Sequence, residues 1–149
     1  MGVFVFGMIV DLDMAKSWIE KRDIDKECQV KINPKKFADI PAGTKMFIPT
    51  PKIVDNLVKT IPDGAFLYSK QIRKKLANDY NAEMTCPVVT GISMRILSEA
   101  AFEEFEMHKN IEKITPFWRI VEPDSKLAGK LACGIEFIIE RQIQEGIEL

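Results

Sequence analysis

The clearest hydrophobic pattern begins at Thr50. In "TPKIVDNLVKTIPDG" the apolar residues Ile53, Val54, Leu57, Val58 and Ile61 recur at helical spacing and share one face. Thr50 is placed to cap that helix, Pro51 suits its first turn, and Pro62, Asp63 and Gly64 end it. "AFLY" reads as a short strand or an extended link. Ser69 is then placed to cap a second helix, "KQIRKKLANDY", with Ile72 and Leu76 inward and Arg73, Lys74 and Lys75 outward. A turn, "NAEMTCP", leads to the longest helix, about Val88 to Lys109, whose expected inner face is Val89, Ile92, Ile96, Leu97, Ala100 and Ala101. "RIV", "EPDSK" and "LAGKL" read as strand, turn and strand, a wing-like hairpin. "GIEFIIERQIQEG" closes the chain as a helix with Ile135, Ile138, Ile139 and Ile143 inward.

Upstream the pattern is more broken. "AKSWIEKRD" fits a short helix and "CQVKI" alternates like a strand, with "NPKK", "IPAG" and "PTP" as breakers. Met14 opens "MAKSW", which leaves the first thirteen residues as a candidate extension outside the fold. The expected architecture is mostly α with small β: a winged helix-turn-helix domain over residues 46–149, preceded by an N-terminal arm over residues 1–45.

Composition narrows the class. The 149 residues are 46% hydrophobic and 29% charged, as in ordinary soluble domains. No apolar run reaches the length of a membrane span, so no membrane partner is expected. The apolar start lacks a basic flank and meets Asp11 and Asp13 where a small-residue cleavage site would lie, so no secretory signal is expected. Cys28, Cys86 and Cys133 are odd in number and lack paired spacing, which suits neither a disulfide framework nor a zinc site. The expectation is a cytoplasmic protein with no metal and no cofactor. Net charge is −1, yet Lys45–Leu76 carries seven Lys/Arg against two acids, while Glu99–Leu149 carries eleven acids against six Lys/Arg. The basic region is either a solvated helix face or a local phosphate-binding patch.

"ITPFWRIV" sets Phe117 and Trp118 beside Arg119. Such a group is either core or a platform for a flat partner. With its neighbours it also carries a resemblance. "TIPDGAFLYSKQI" resembles the Ile-Pro-x-Gly, Thr-Tyr and helix segment of the DNA alkyltransferases that repair guanine alkylated at its exocyclic oxygen. "TPFWRIV" resembles their Pro-Cys-His-Arg-Val motif, and "CGIEFIIERQIQEG" their Gly-Gly, helix, Glu-Gly ending. The likeness spans roughly residues 46–147. "KSWIEK", "TCPVVTGI" and "ITPFWRIV" together resemble a bacterial alkyltransferase-like subgroup.

The resemblance implies a function through its departures. In the family a thiolate attacks the alkyl carbon, a histidine-bound water relays the proton and a glutamate orients the histidine. Pro116 and Arg119 match the motif and Glu145 holds the glutamate position. Phe117, however, stands at the cysteine and Trp118 at the histidine. Alkyl transfer at this position is chemically excluded. Ser69, one residue after Tyr68, holds the place of the tyrosine that displaces the target nucleotide. Gly91 falls nearest the intercalating arginine, with Arg95 one turn further along. The implied protein is a non-enzymatic binder of double-stranded, alkylated DNA that flips the damaged base. Pro116, Phe117, Trp118, Arg119 and Glu145 would form the base pocket. Ser69, Lys70, Arg73, Lys74, Lys75 and Arg95 would meet the DNA, with other repair proteins as further partners. The alternative is a winged-helix interaction protein that keeps the fold without lesion binding, its two aromatics filling the vacated pocket as core.

Other residues carry lesser expectations. Cys86, at a helix start, is a reactive thiol or, more simply, a buried small residue, and Cys133 packs. His108 faces solvent near a helix C-terminus. "EEFE", Glu103 to Glu106, is an exposed acidic face, and Trp18 packs within the arm. Glu145, without its family partners, caps or pairs locally.

Overall fold

Local rules hold best where the pattern is cleanest. The computed structural model describes residues 16–149; the proposed thirteen-residue extension, with Asp11 and Asp13, and Met14 after it lie outside the described residues. The first described element is helix α1 (Trp18–Asp23), capped by Ser17, whose hydroxyl accepts from Glu20 N. Strands β1 (Gln29–Ile32) and β2 (Lys45–Ile48) follow, then helix α2 (Pro51–Val58). Thr50 Oγ1 accepts from Ile53 N at 3.2 Å, and Val54, Leu57, Val58 and Ile61 are buried as their spacing requires.

Helix α3 (Ser69–Asp79) buries Ile72 and Leu76. Its cap is Tyr68 rather than Ser69, and the Gln71 side chain accepts from the Tyr68 N–H at 2.8 Å. A two-residue strand, β3 (Met84–Thr85), runs parallel to β2, while β1 runs antiparallel to β2 on its other side. Thus β1, from the arm, joins a sheet whose centre is β2. Phe47 of β2 is fully buried and stacks on Tyr80 at 4.1 Å.

Helix α4 (Pro87–His108) is the spine, and α1 and α2 both pack on it. Its inner face is rotated from the expected one. Leu97, Ala100 and Ala101 are buried, but so are Thr90, Ser93, Met94 and Ser98, whereas Ile92 is 54% exposed. Small side chains permit close approach, and the Thr90 and Ser98 hydroxyls donate to the Cys86 and Met94 carbonyls, which removes the cost of burying them.

The wing-like hairpin expected over Arg119–Leu131 is absent. Phe117–Arg119 is a 3-10 turn, and Lys126–Lys130 forms a short helix, α5. Ser125 Oγ accepts from Ala128 N at 3.1 Å, so a local cap wins over strand pairing. Of the two alternatives for "AFLY" the structure has the link, since the segment lies outside any strand. Helix α6 (Ile135–Glu145) closes the chain, but of its four predicted inward isoleucines only Ile138 is buried. Ile135, Ile139 and Ile143 are exposed, and Gln142 is buried in their stead. Its amide donates to the carbonyls of Trp118 and Val121, both at 2.9 Å, which would otherwise be buried without a partner. The architecture is mostly helical with a small three-stranded sheet. No helix among the described residues is long and apolar enough to cross a membrane.

Candidate functional site

The three segments that carry the family resemblance meet at one carboxylate. Glu145, at the last turn of α6, accepts from Arg119 Nε and Nη2, each at 2.8 Å, and from Trp118 Nε1 at 2.7 Å. The Gly64 N–H adds a bond of 3.2 Å, and Arg119 Nη1 donates to the Ile61 carbonyl at 2.7 Å. Glycine is required at position 64: φ is +89°, and a Cβ there would sit 3.3 Å from the Glu145 carbonyl oxygen. Burial pushes the Glu145 carboxyl up, but Arg119, Trp118 and Gly64 together outweigh it and hold the group below its ordinary value. Glu145 therefore acts as a fixed acceptor that staples α6 to the two preceding loops.

The aromatic pair is packed. Phe117 is fully buried, with its ring stacked on Phe137 at 5.9 Å. Trp118 is 2% exposed, and the Arg141 guanidinium lies 4.9 Å from its ring centroid. Pro116, Trp118, Arg119 and Glu145 border a cleft of about 700 Å³, whose rim mixes Lys59, Lys113 and Arg141 with Asp63 and Glu112. Phe117 is not part of that lining. A base stacking on either ring would have to displace side chains first.

The predicted DNA-contacting residues are dispersed. Arg73, expected to face outward, is tied down: Nη1 and Nη2 donate to the Asp39 carboxylate at 2.8 and 2.7 Å, and Nε donates to the Thr85 carbonyl at 3.0 Å. The Arg73 guanidinium in turn holds the Asp39 carboxyl below its ordinary value. Lys70 and Lys74 remain exposed and border a cleft shared with Asp39 and Glu83; Lys75 borders a different one. Arg95 lies on α4, 3.7 Å from Glu99, and none of these cations borders the cleft beside Trp118.

Ser69 and Gly91 do meet. They line a cleft of about 240 Å³ with Met94, Val121, Glu122, Ser125 and Leu127. Gly91 has open space where a Cβ would lie, so its missing side chain widens this cleft. A second cleft, of about 490 Å³, shares Gly91 and Leu127 with the first and continues to Trp18, Lys21, Arg95 and Lys130. No pattern in the sequence announces this grouping, because its members come from three separate elements.

The remaining candidates are placed as follows. Cys86 is buried at the start of α4, and burial pushes the Cys133 thiol up to about 11. His108 is exposed, and its Nδ1 accepts from Asn110 N. The acidic "EEFE" stretch is not simply a solvated face. Glu103 accepts from the Trp18 and Ile19 N–H groups, and Glu104 pairs with Arg22 at 2.7 Å, so both acids anchor α1. Among the described residues no group of His, Cys, Asp and Glu could hold a metal ion. No protein-family model, curated protein or solved structure matches this chain.

Proposed function

We propose that this chain is a DNA-binding module of helix-turn-helix type, with a short helix where a wing would lie, and that it holds an alkylated guanine without reacting with it. The observation that carries this reading is the cleft over Gly91. It gathers Ser69 from the start of α3, Gly91 and Met94 from α4, and Val121 and Ser125 from the segment after the aromatic pair. Ser69 and Val121 belong to two of the three segments that carry the resemblance to the alkyltransferases, and Gly91 to the "TCPVVTGI" of the subgroup. A displaced base entering here would meet a partly apolar wall, two hydroxyls and the Glu122 carboxylate. Phe117 and Trp118 do not line this cleft and serve as core rather than as a stacking surface. Base flipping costs a few kcal/mol, less for a damaged and poorly paired base. Phosphate contacts from Lys70, Lys74, Lys75 and Arg95 would supply sequence-independent affinity. Double-stranded DNA is the partner, and other repair proteins would act on the marked site.

The test is a gel-shift comparison of matched duplexes with and without one guanine alkylated at its exocyclic oxygen. Preferential binding of the lesion is expected. Equal binding would remove the lesion reading, and no binding to either would remove DNA as the partner. In that last case the alternative gains: an interaction protein that keeps the fold. The exposed row Ile135, Ile139 and Ile143 on α6 is the observation favouring it.

A further inference from the structure

We propose that the arm helix α1 completes a second, phosphate-binding half of the groove, built from Trp18, Lys21, Arg95 and Lys130, and that the sugar-phosphate backbone of a DNA strand lies in it. This inference rests on the DNA reading above and adds the arm to it. The cleft of about 490 Å³ takes one cation from each of three elements: Lys21 from α1, Arg95 from α4 and Lys130 from α5. No carboxylate belongs to its lining, in a chain whose net charge is −1. The other basic clefts differ: the one beside Lys70 and Lys74 includes Asp39 and Glu83, and the one beside Trp118 includes Asp63, Glu112 and Glu145.

The cations are also weakly paired with acids. Among the described residues neither Lys21 nor Lys130 has a carboxylate partner. The Arg95 contact to Glu99 is 3.7 Å, well beyond a charge-assisted hydrogen bond. Trp18 organises two of the three: Lys21 Nζ lies 4.4 Å and the Arg95 guanidinium 5.3 Å from its ring centroid. The indole thereby fixes the position of two cations of this cleft. The arm is fixed for this task, since Glu103 accepts from the Trp18 and Ile19 N–H groups and Glu104 holds Arg22.

Position selects the ligand. Gly91 and Leu127 belong to both clefts, so the two adjoin. A strand with its base in the Ser69–Ser125 half would carry its adjoining phosphates across Lys21, Arg95 and Lys130. An isolated anion would not need that continuity, and a nucleic-acid strand does.

The experiment is a salt titration of duplex binding by the full chain, wild type against Lys21→Ala/Lys130→Ala. Each lost phosphate contact should lower the slope of log K against log salt by about 0.9, so the double variant should lose about 2 units. Both side chains stand at the surface of their helices, and circular dichroism verifies folding. Emission of half-buried Trp18 should change on DNA addition, and that response should disappear in Trp18→Phe while buried Trp118 stays silent. Duplex binding with an unchanged slope and silent Trp18 emission would overturn the arm's role while leaving the DNA reading intact. Wild type that binds no duplex even at low salt would overturn both. Stronger binding of poly-glutamate than of duplex, lost in the same double variant, would assign the cleft to an acidic protein and overturn the DNA assignment.

Discussion

Arg119 grips Glu145 through two parallel bonds of 2.8 Å, with the carboxylate side chain 4% and the guanidinium side chain 14% exposed. Bidentate geometry and burial make this pair the tie between the loop after Ile114 and the end of α6. Removing one partner strands the other. Arg119→Ala is expected to destabilise the protein by about 3–5 kcal/mol. Urea unfolding of the variant measures it, and a loss below about 1 kcal/mol would show that solvent replaces the guanidinium.

The same pair sets an acid limit. The Glu145 carboxyl is held below its ordinary value of 4.5, so its contribution is present above pH 4.5 and is lost as pH falls through the folded value. Asp23, held at about 2 chiefly by Arg22, adds a component lost between pH 3.8 and about 2. Stability measured from pH 6 downward should therefore fall below pH 4.5. In Glu145→Gln the fall should be shallower, and an identical profile would remove Glu145 as a cause.

Gly64 approaches this carboxylate with a backbone only glycine adopts easily. Gly64→Ala should cost about 1–3 kcal/mol through strain at φ +89° and the crowding of the Glu145 carbonyl. The midpoint of thermal unfolding reads it, and an unchanged midpoint would mean that the loop relaxes without loss.

The basic helix α3 divides into a structural and a free part. Lys70→Ala, Lys74→Ala and Lys75→Ala should each lower the salt slope of DNA binding by about 0.9 without affecting stability. Arg73→Ala should leave the slope unchanged and lower stability, because its guanidinium is already spent on Asp39 and Thr85. A slope change for Arg73 with none for the lysines would invert this assignment.

Neither Cys86 nor Cys133 is expected to accept an alkyl group. Cys86 is 4% exposed, and Cys133, at about 11, is a thiol rather than a thiolate at neutral pH. Intact-mass measurement after incubation with alkyl-guanine duplex should show no adduct. Phe117→Cys/Trp118→His should also stay unlabelled, since the new thiol would lie in the core against Phe137, and the variant should lose roughly 3–5 kcal/mol. An adduct on any cysteine would end the non-reactive reading.

What the sequence by itself determined lies within a few residues of its cause. Thr50, Pro51 and the spacing of Val54, Leu57 and Val58 suffice for α2, because caps and helical periodicity act over one or two turns. The same holds for the inward Ile72 and Leu76 and for the extents of α4 and α6. Which face of α6 is buried was decided elsewhere. The carbonyls of Trp118 and Val121 need donors, so Gln142 turns inward and three isoleucines turn out. The segment after Pro123 became a helix because Ser125 caps it locally, a signal that the alternating "LAGKL" pattern masked. Arg73 left the surface because Asp39, 34 residues earlier, returns to meet it. Trp18, Lys21, Arg95 and Lys130 came together only when α1 docked on α4 through Glu103 and Glu104, and contacts of such sequence separation leave no periodic trace in the chain.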